Sequence, residues 1–309
     1  MTDKKPADQK PVDQIRAGRR TVKVSNRNKV LFPEDGITKG ELIDYYVAIA
    51  PRMVPLVRDR PLTMERYPDG LTSERIFQKN ISPYFPDWIQ RARVPKKNGF
   101  VTHVLANDTA TLAYLANQAS ITQHVWLSTV KVPQKPDQII FDLDPSKEDF
   151  AEVRRTALRL REMLEELGLV PFVKTTGSRG LHVVAPIRPL LGFDVVYAVA
   201  ATIAGRIQKE RPAKLTTEFM KAKRGDRIFL DINRNAYAQT AVAPYSVRPL
   251  RGAPVAAPVA WEEVADRRLR PDGFSMTDTL ERPDAWTGFR RAARSPIPAA
   301  RSLGVTANP

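Results

Sequence analysis

The chain has 309 residues, of which 42% are hydrophobic, and its formal net charge is +15. This apolar fraction is enough to bury a core, and the length fits two domains or one large α/β domain. The absence of cysteine excludes disulfides, iron–sulfur clusters and cysteine-ligated zinc, and the wide spacing of the three histidines argues against a histidine-rich metal site. No apolar run could span a bilayer and no secretory signal is present, so we expect a soluble, cytoplasmic protein with an anionic partner.

The N-terminal part of the sequence predicts a flexible basic arm followed by regular elements. Residues 1–20 are mostly polar and charged, which favours an arm without fixed structure. Thr38 precedes Glu41 by three residues, the spacing of a capping box, and apolar residues then recur at helical spacing, so we predict a helix over 37–57. The pattern further along predicts a strand over 61–67 and a helix over 108–119.

The central part of the sequence combines apolar strands with amphipathic helices. Strands are predicted over 138–144, 171–176, 181–187 and 227–232, and helices over 148–167 and 193–209. Residues 295–309 are typical of an irregular C-terminal tail. No break in composition divides residues 21–294, so we predict a single domain of the α+β class with an N-terminal lobe.

Three aspartates stand out because each lies on a predicted apolar strand. Asp142 and Asp144 in FDLDPS are two residues apart, so they project from one face of a strand with their bases about 7 Å apart. Asp231 is the single acid in the apolar strand IFLDIN, where an unpaired carboxylate is costly. Hard divalent ions such as Mg²⁺ or Mn²⁺ relieve the repulsion between such carboxylates, so the three predict a two-metal phosphoryl-transfer site.

Two other interpretations of the pair Asp142 and Asp144 remain open from the residues alone. Two aspartates separated by one residue also occur at the ends of purely structural strands. The same pattern begins the aspartate-nucleophile phosphatases, but Pro145 and Ser146 follow here and no later pair of adjacent aspartates exists, which argues against that class.

The segment TTGSRGLHVVAP at residues 175–186 predicts an anion-binding turn between two strands. Its small residues let backbone N–H groups approach an anion, Ser178 and Arg179 can contact phosphate oxygens, and His182 follows on the next strand. Residues 141–170 hold 5 basic and 8 acidic residues, whereas residues 171–251 hold 14 basic and 5 acidic ones. Carboxylates beside a basic track are typical of nucleic-acid enzymes that hold metals, although a basic surface beside an acidic helix gives the same pattern.

Four motifs in order, FDLDPS, TTGSRGLH, IFLDIN and YSVRPL, resemble the polymerase domain of bacterial ligase D. That family comprises the primase-polymerases of bacterial non-homologous end joining, within the archaeo-eukaryotic primase superfamily. The resemblance extends from residue 22 to residue 290. It implies a primase-polymerase fold, with central, mostly antiparallel sheets flanked by helices and an RRM-like catalytic core, in one catalytic domain over 21–294.

The resemblance also implies roles for individual residues. Asp142, Asp144 and Asp231 would be the catalytic residues and the ligands of two Mn²⁺ or Mg²⁺ ions. A packed core position is the alternative for one of the expected nucleotide contacts, His124. The full set of expected nucleotide contacts is Ser178, Arg179, Gly180, His182, Arg248, His124 and Asn26, the last of which would lie near the nucleotide or the DNA.

Expected DNA contacts follow from the same resemblance. Lys29 and Lys39 match a pocket for the 5′-phosphate of the downstream strand, with two solvated lysines as the alternative. Lys39 also opens a predicted helix, where free N–H groups favour an anion. Arg66 and Phe77 match a template-contacting pair, although Phe77 could equally belong to the core and the residue before it is Ile, where the family often has a second aromatic. Arg234 stands where the family has an uncharged polar residue, so its role is open.

The leading hypothesis is a metal-dependent, template-directed nucleotidyltransferase that extends 3′ ends at gapped or broken double-stranded DNA. The resemblance implies a preference for ribonucleoside triphosphates and a role in double-strand break repair at the bacterial nucleoid, with Ku and a DNA ligase as partners. The alternatives are short-gap filling in excision repair, an inactive DNA-end-binding module, and a metal-dependent nuclease or phosphatase. No Lys-x-Asp-Gly motif is present, so we expect no ligase module, and the natural-looking start and tail favour a free-standing polymerase over an excised fragment.

Overall fold

The structure is a computed structural model that describes residues 12–96, 98–147 and 149–305. Within these ranges the strands are β1 (Val12–Ala17), β2 (Arg20–Ser25), β3 (Val30–Phe32), β4 (Ile37–Thr38), β5 (Leu62–Arg66), β6 (Ile76–Gln78), β7 (Arg91–Lys96), β8 (Gly99–Val104), β9 (Ser120–Trp126), β10 (Gln138–Pro145), β11 (Phe172–Thr175), β12 (Leu181–Pro186), β13 (Leu215–Thr216), β14 (Ile228–Asp231), β15 (Thr240–Val242) and β16 (Pro258–Val259). The helices are α1 (Lys39–Val57), α2 (Thr109–Asn117), α3 (Phe150–Glu166), α4 (Phe193–Glu210), α5 (Lys221–Arg224), α6 (Trp261–Ala265), α7 (Met276–Glu281) and α8 (Ile297–Ser302). These elements confirm the predicted α+β class.

The first of two six-stranded sheets contains all three predicted aspartates. Its strand order is β13-β14-β10-β12-β11-β16, and all neighbours are antiparallel except β13 and β14. Alternate residues of β10, including Phe141 and Leu143, pack in a core with apolar residues of α3 and α4. Because side chains of a strand alternate between faces, Asp142 and Asp144 project from the opposite face.

The second sheet forms the other half of the molecule. Its order is β15-β9-β5-β8-β7, with β6 paired to β5 on a branch. Helices α1 and α2 pack against each other, and their apolar faces share a core with β5 and β9. Ile140 of the first sheet belongs to a small apolar cluster with Leu127 and with Ala241 of β15, so this cluster joins the two halves.

Local sequence signals explain where α1 begins. The Thr38 side chain accepts a hydrogen bond from the Glu41 backbone N–H, and the Glu41 carboxylate accepts one from the Thr38 backbone N–H. This reciprocal pair satisfies donors that the first helical turn leaves free, so the predicted capping box is confirmed. Among the helices in the described ranges, none has the length and apolar character needed to cross a membrane.

Two predictions at the ends of the chain are wrong in part. Residues 12–17 of the expected flexible arm form β1, which pairs with β2 along its whole length, because backbone pairing across the Gly18 turn needs no apolar side chains. Residues 297–302 of the expected irregular tail form α8, because Ala299 and Ala300 are buried in the core of the first sheet. Residues 1–11 of the arm and 306–309 of the tail lie outside the described residues, and the division at residues 21 and 294 stays a prediction.

Candidate active site

A row of polar side chains crosses the first sheet on the face opposite the core that β10 shares with α3 and α4. Asp142 on β10 is the direct cross-strand partner of Asp231 on β14 and of His182 on β12. His182 is in turn the partner of Lys174 on β11. Directly opposite residues of antiparallel strands share a face, with Cβ atoms about 4.5–5.5 Å apart, and Asp144 shares that face because it lies two residues from Asp142. Register alone therefore brings the three aspartates together beside a histidine and a lysine.

Two of these carboxylates repel each other. Burial and the negative charge of Asp142 raise the pKa of Asp231 above its usual value. Asp231 Oδ1 accepts hydrogen bonds from the backbone N–H and the side-chain amide of Asn233, both at 2.8 Å. Burial also disfavours ionised Asp142, but His182, Arg234 and Lys174 outweigh it and lower the pKa of Asp142 to about 2. The pair is therefore a strong attractor for cations.

In the structure, arginine side chains place positive charge next to these carboxylates. Arg234 Nε lies 3.6 Å from Asp231 Oδ2 and 3.9 Å from Asp142 Oδ2, so the arginine without an assigned role sits between two of the predicted metal ligands. A guanidinium N–H of Arg179 donates to Asp144 Oδ1 at 2.9 Å, and Arg224 approaches the other oxygen of Asp144 at 3.7 Å. Each predicted metal ligand is thus in contact with an arginine.

The donor set suits a hard divalent ion, since it offers carboxylate oxygens in a partly buried setting. As the side chains lie, no group of three or more Asp, Glu or His residues in the described ranges is arranged to hold a metal ion. Each of the three carboxylates is instead paired with an arginine at an oxygen that an ion would need. An ion entering here would replace Arg234 and Arg179 as the counter-charge of these carboxylates.

The turn between β11 and β12 is packed directly onto β10. A Cβ atom added at Gly180 would lie 1.8 Å from the Leu143 carbonyl oxygen, so only glycine fits there. Gly177 has a φ of +63°, the left-handed region that favours glycine. Thr176 Oγ1 accepts from the Gly180 backbone N–H at 3.1 Å, which closes the turn and leaves that N–H unable to bind an anion. Ser178 and Arg179 remain at the turn's tip, in the cleft lining.

Behind this turn, Arg248 provides a cation and His182 an uncharged hydrogen-bonding group. His182 Nε2 lies 3.3 Å from Asp142 Oδ1, while its Nδ1 has no hydrogen-bond partner within the described residues. Burial and the neighbouring Lys174 lower the pKa of His182 to about 4, so the imidazole is neutral at pH 7. Arg248 donates to the Thr176 carbonyl at 2.8 Å, and its Nε is buried and likewise unpartnered in the described part of the chain.

The opposite wall of the site comes from the second sheet. His124 on β9 has its Nε2 3.0 Å from the Glu65 carboxylate on β5, and the ring of Phe77 on β6 lies 5.3 Å from the His124 ring. Tyr67 also donates to Glu65, at 3.1 Å. His124 and Phe77 both line the cleft, so neither is a packed core residue; Phe77 is 47% exposed.

Together these walls enclose a cleft of about 510 Å³ between the two sheets. Most of the predicted site residues line this cleft: Phe77, His124, Asp142, Asp144, Ser178, Arg179, Gly180, His182 and Arg248. Arg234 lines it as well. A larger cavity of about 650 Å³ lies between the β1–β2 turn, α1 and the start of α2 and contains none of the predicted site residues, so the smaller cleft is the candidate active site.

Lys29 and Lys39 lie together, away from the cleft. The Lys39 backbone N–H donates to the Lys29 carbonyl at 2.8 Å, and the Lys29 N–H donates to the carbonyl of Asn26 at 3.0 Å. Asn26, with a φ of +52°, therefore shares the turn of these lysines and is absent from the cleft lining. Lys39 is 5% exposed, and burial together with the charge of Lys29 lowers its pKa to about 8. The Lys29 ammonium is more open and pairs with Asp69 at 2.7 Å.

Arg66 differs most from its expected place. Its guanidinium is buried and donates to the Gln118 carbonyl, to Gln78 and to Tyr84. These contacts tie β5 to the segments around it, and Arg66 is absent from the cleft lining. A template contact by Arg66 therefore has no geometric support, in contrast to the exposed Phe77 on the strand opposite.

Two residues of the site escaped the sequence interpretation. Glu65 is buried on β5 beside His124, and Lys174 is buried on β11 beside His182. Lys174 is the single charged residue of β11, which is the signal that identified Asp231, whereas Glu65 stands next to Arg66 on β5 and lacks that signal. Applying that signal to every predicted strand would have found Lys174 but not Glu65.

Comparison with known proteins identifies the family. The family described as "LigD, primase-polymerase domain" matches residues 38–287. The chain is 34% identical over 268 residues to the multifunctional non-homologous end joining protein LigD of Mycolicibacterium smegmatis, covering 86% of this chain and 35% of that protein. It is 31% identical to LigD of Bacillus subtilis over 257 residues, covering 82% of this chain and 41% of that bifunctional protein. The chain thus spans well under half the length of these curated relatives.

A solved structure has the same fold. The polymerase domain of Mycobacterium tuberculosis ligase D, determined in complex with DNA, is similar with a TM-score of 0.82 and 31% sequence identity. The similarity covers 88% of this chain and 99% of that domain. The residues matched by the family, 38–287, include both sheets that enclose the cleft. The chain therefore belongs to the LigD primase-polymerase domain family, a family of nucleotidyltransferases.

Proposed function

We propose that the chain is a template-directed polymerase that adds nucleotides to 3′ ends at gapped or broken double-stranded DNA. The observation that carries this is the row in which Asp231, Asp142 and His182 are direct cross-strand neighbours, beside the turn between β11 and β12. This row provides carboxylates for metal ions and donors for a triphosphate within one cleft. Polymerase domains of this kind are metal-dependent.

Asp142, Asp144 and Asp231 would hold two divalent ions, Mg²⁺ or Mn²⁺. When bound, such ions make an attacking 3′-hydroxyl more acidic and neutralise charge on the triphosphate and its leaving group. The rest of the catalysis is positioning by the chain itself, because phosphoryl transfer depends on alignment and electrostatic stabilisation.

The triphosphate would lie along the cationic wall of the cleft. Arg179 and Arg248 offer charge-assisted hydrogen bonds, and Ser178 a hydroxyl donor, from positions around the turn. Neutral His182 can donate one hydrogen bond to a phosphate oxygen through whichever ring nitrogen carries the proton. His124, held by Glu65, and Phe77 face the remaining part of the cleft, where the nucleoside and the template base would lie.

The downstream strand would be recognised outside the cleft. Lys39 is the first residue of α1, and its backbone N–H donates to the carbonyl of Lys29, so two ammonium groups and a helix N-terminus together favour a 5′-phosphate. Asn26 belongs to the same turn, so we assign it to the DNA and not to the nucleotide. Lys29 would exchange its contact with Asp69 for the phosphate.

A more specific proposal concerns the repair pathway, the partners and the location of the protein. The relatives named above are non-homologous end joining proteins, and we propose the same pathway here, with Ku and a DNA ligase as partners and the bacterial nucleoid in the cytoplasm as the location. A preference for ribonucleotides belongs to this proposal. Short-gap filling in excision repair would use the same chemistry, and retention of the protein on Ku-bound DNA ends separates the two settings.

Extension of a labelled primer on a gapped duplex tests the proposed activity. We expect growth of the primer with added nucleoside triphosphate and divalent metal, faster with ribonucleotides and with a 5′-phosphate on the downstream strand. Asp142→Asn should abolish extension, while Asp226→Asn, a matched change at an exposed aspartate paired with Lys147, should not. Shortening of the primer would instead indicate a nuclease, and an Asp142→Asn variant as active as wild type would refute the metal site.

A further inference from the structure

Lys174 is buried in the first sheet although a lysine ammonium is strongly hydrated in water. Its side chain is 2% exposed, and its Nζ has no hydrogen-bond partner among residues 12–96, 98–147 and 149–305. A charged group in such a position is costly, so a buried lysine without a partner requires an explanation.

Core packing does not supply that explanation. The neighbouring Val173 points into the core shared with α3 and α4, whereas Lys174 projects from the opposite face, toward the cleft side of the sheet. A methionine would fill a similar volume there without the cost of an ammonium. The nitrogen of Lys174 is therefore the part that needs a function.

The surroundings of Lys174 are short of negative charge. It is the direct cross-strand partner of His182, and within the described residues neither Nδ1 of His182 nor the buried Nε of Arg248 has a hydrogen-bond partner. Lys174 does not line the cleft itself, so it lies behind the wall to which His182 and Arg248 belong. Asp142 is the acid of the same row, but His182 stands between them. Such an arrangement favours an anion bound next to His182 on the cleft side.

We propose that Lys174 is a positioning residue of the nucleotide site, a buried cation that acts through His182 on the triphosphate and is charged when the triphosphate is bound. The inference rests on the proposed function. Burial and Arg248 lower the pKa of Lys174 to about 7 despite the opposing effect of Asp142. Phosphate charge beside His182 favours the ammonium form, so binding takes up a proton.

The sign of the pH dependence follows from this coupling. Above pH 7 the ligand-free lysine is increasingly neutral, so affinity for the triphosphate falls as pH rises, by up to about tenfold per pH unit, until the pKa of the bound state is reached. The other charged groups near Lys174 do not titrate between pH 7 and 9, because the pKa values of Asp142 and His182 are about 2 and about 4, and the Arg248 guanidinium stays protonated although burial lowers its pKa.

The test measures binding of a fluorescent nucleoside triphosphate to the full chain in EDTA, where no metal perturbs Lys174, from pH 7 to pH 9. We expect wild type to lose about tenfold in affinity across this range and Lys174→Met to bind about tenfold more weakly at pH 7 with little further change. Lys39, whose pKa is about 8, titrates in both proteins and cancels in the comparison.

Val173→Ala is the matched control, since it removes packing on the same strand but no charge. It should keep the pH dependence of wild type. If wild type and Lys174→Met had equal affinity and equal pH dependence, the role of Lys174 would be overturned and the proposed function would stand. A wild-type affinity that does not change with pH would have the same consequence, and this result does not depend on whether the variant folds. A wild type that binds no triphosphate would overturn both this role and the proposed function.

Discussion

Asp142 and Asp231 face each other directly across β10 and β14, so two acids share one partly buried patch of the first sheet. Their mutual repulsion raises the pKa of Asp231, and Arg234 lies within 4 Å of both carboxylates. The repulsion within this patch lowers the stability of the sheet and favours the binding of cations.

Replacing Asp231 by Asn should abolish primer extension while stabilising the metal-free protein. The amide keeps an oxygen that can accept from Asn233 but removes the charge that repels Asp142. We expect a gain on the order of 1 kcal/mol in the free energy of unfolding in EDTA. Divalent metal should raise the melting temperature of wild type and leave that of the variant unchanged. A variant that is less stable than wild type in EDTA would contradict the repulsion between the two carboxylates.

Replacing Arg234 by Gln should strengthen metal binding. Removing the guanidinium leaves Asp142 and Asp231 without their shared counter-charge, so we expect the affinity for Mn²⁺ to rise by about tenfold, equivalent to roughly 1.4 kcal/mol. Electron paramagnetic resonance of free Mn²⁺ measures this without an activity assay. Arg206→Gln, which removes the same charge from an exposed site on α4, is the control. Equal affinities for both variants would show that Arg234 does not compete with the ion.

Replacing Gly180 by Ala should destabilise the protein by at least about 2 kcal/mol and weaken triphosphate binding. The added methyl group would collide with the Leu143 carbonyl, so the turn that carries Ser178 and Arg179 must move away from β10. Gly192→Ala is a matched control, because a Cβ at Gly192 meets no atom within 4 Å. Urea unfolding of the two variants measures the difference, and similar midpoints would argue against close packing of the turn on the strand.

Recognition of a 5′-phosphate should weaken as pH rises. Lys39 has a pKa lowered to about 8, so it is charged below that pH and neutral above it. The preference for a phosphorylated over a hydroxylated downstream strand should therefore be greatest near pH 7 and decline toward pH 9.5. Lys39→Arg should keep the preference across this range because a guanidinium stays charged. Binding of gapped duplexes measures both, and a preference that is constant in wild type would exclude Lys39 from the pocket.

Elements with strong local signals were predictable from the sequence, and their pairing was not. The capping box of Thr38 and the apolar spacing after it define α1, and the apolar strand before Asp142 defines β10. Nothing in the local pattern, however, specifies that β14 and β12 flank β10, since that depends on long-range packing. The prediction of an irregular C-terminal tail was wrong in part for a related reason, because the short helix α8 is stabilised by burial against the core and not by its own sequence.

The site was predictable to the extent that acids on apolar strands signal a function. Asp142, Asp144 and Asp231 were found by that argument, and the first two line the cleft with His124 and Phe77 while Asp231 lies directly opposite Asp142. Sequence could not reveal the partners of a guanidinium, which is why Arg66 was expected at the template but is engaged by Gln118 and Gln78. Arg234 is the opposite case, because only its position in space shows what it contacts.

The alternation of side chains along β10 has a consequence for how this chain tolerates change. A shift of β10 by one residue against β12 and β14 would turn Asp142 and Asp144 toward α3 and α4 and bring Phe141 and Leu143 into the cleft. A single insertion or deletion in this strand would therefore place apolar side chains in the cleft and turn the aspartates toward the apolar core. For the proposed polymerase, the number of residues in β10 therefore matters as much as the identity of its aspartates.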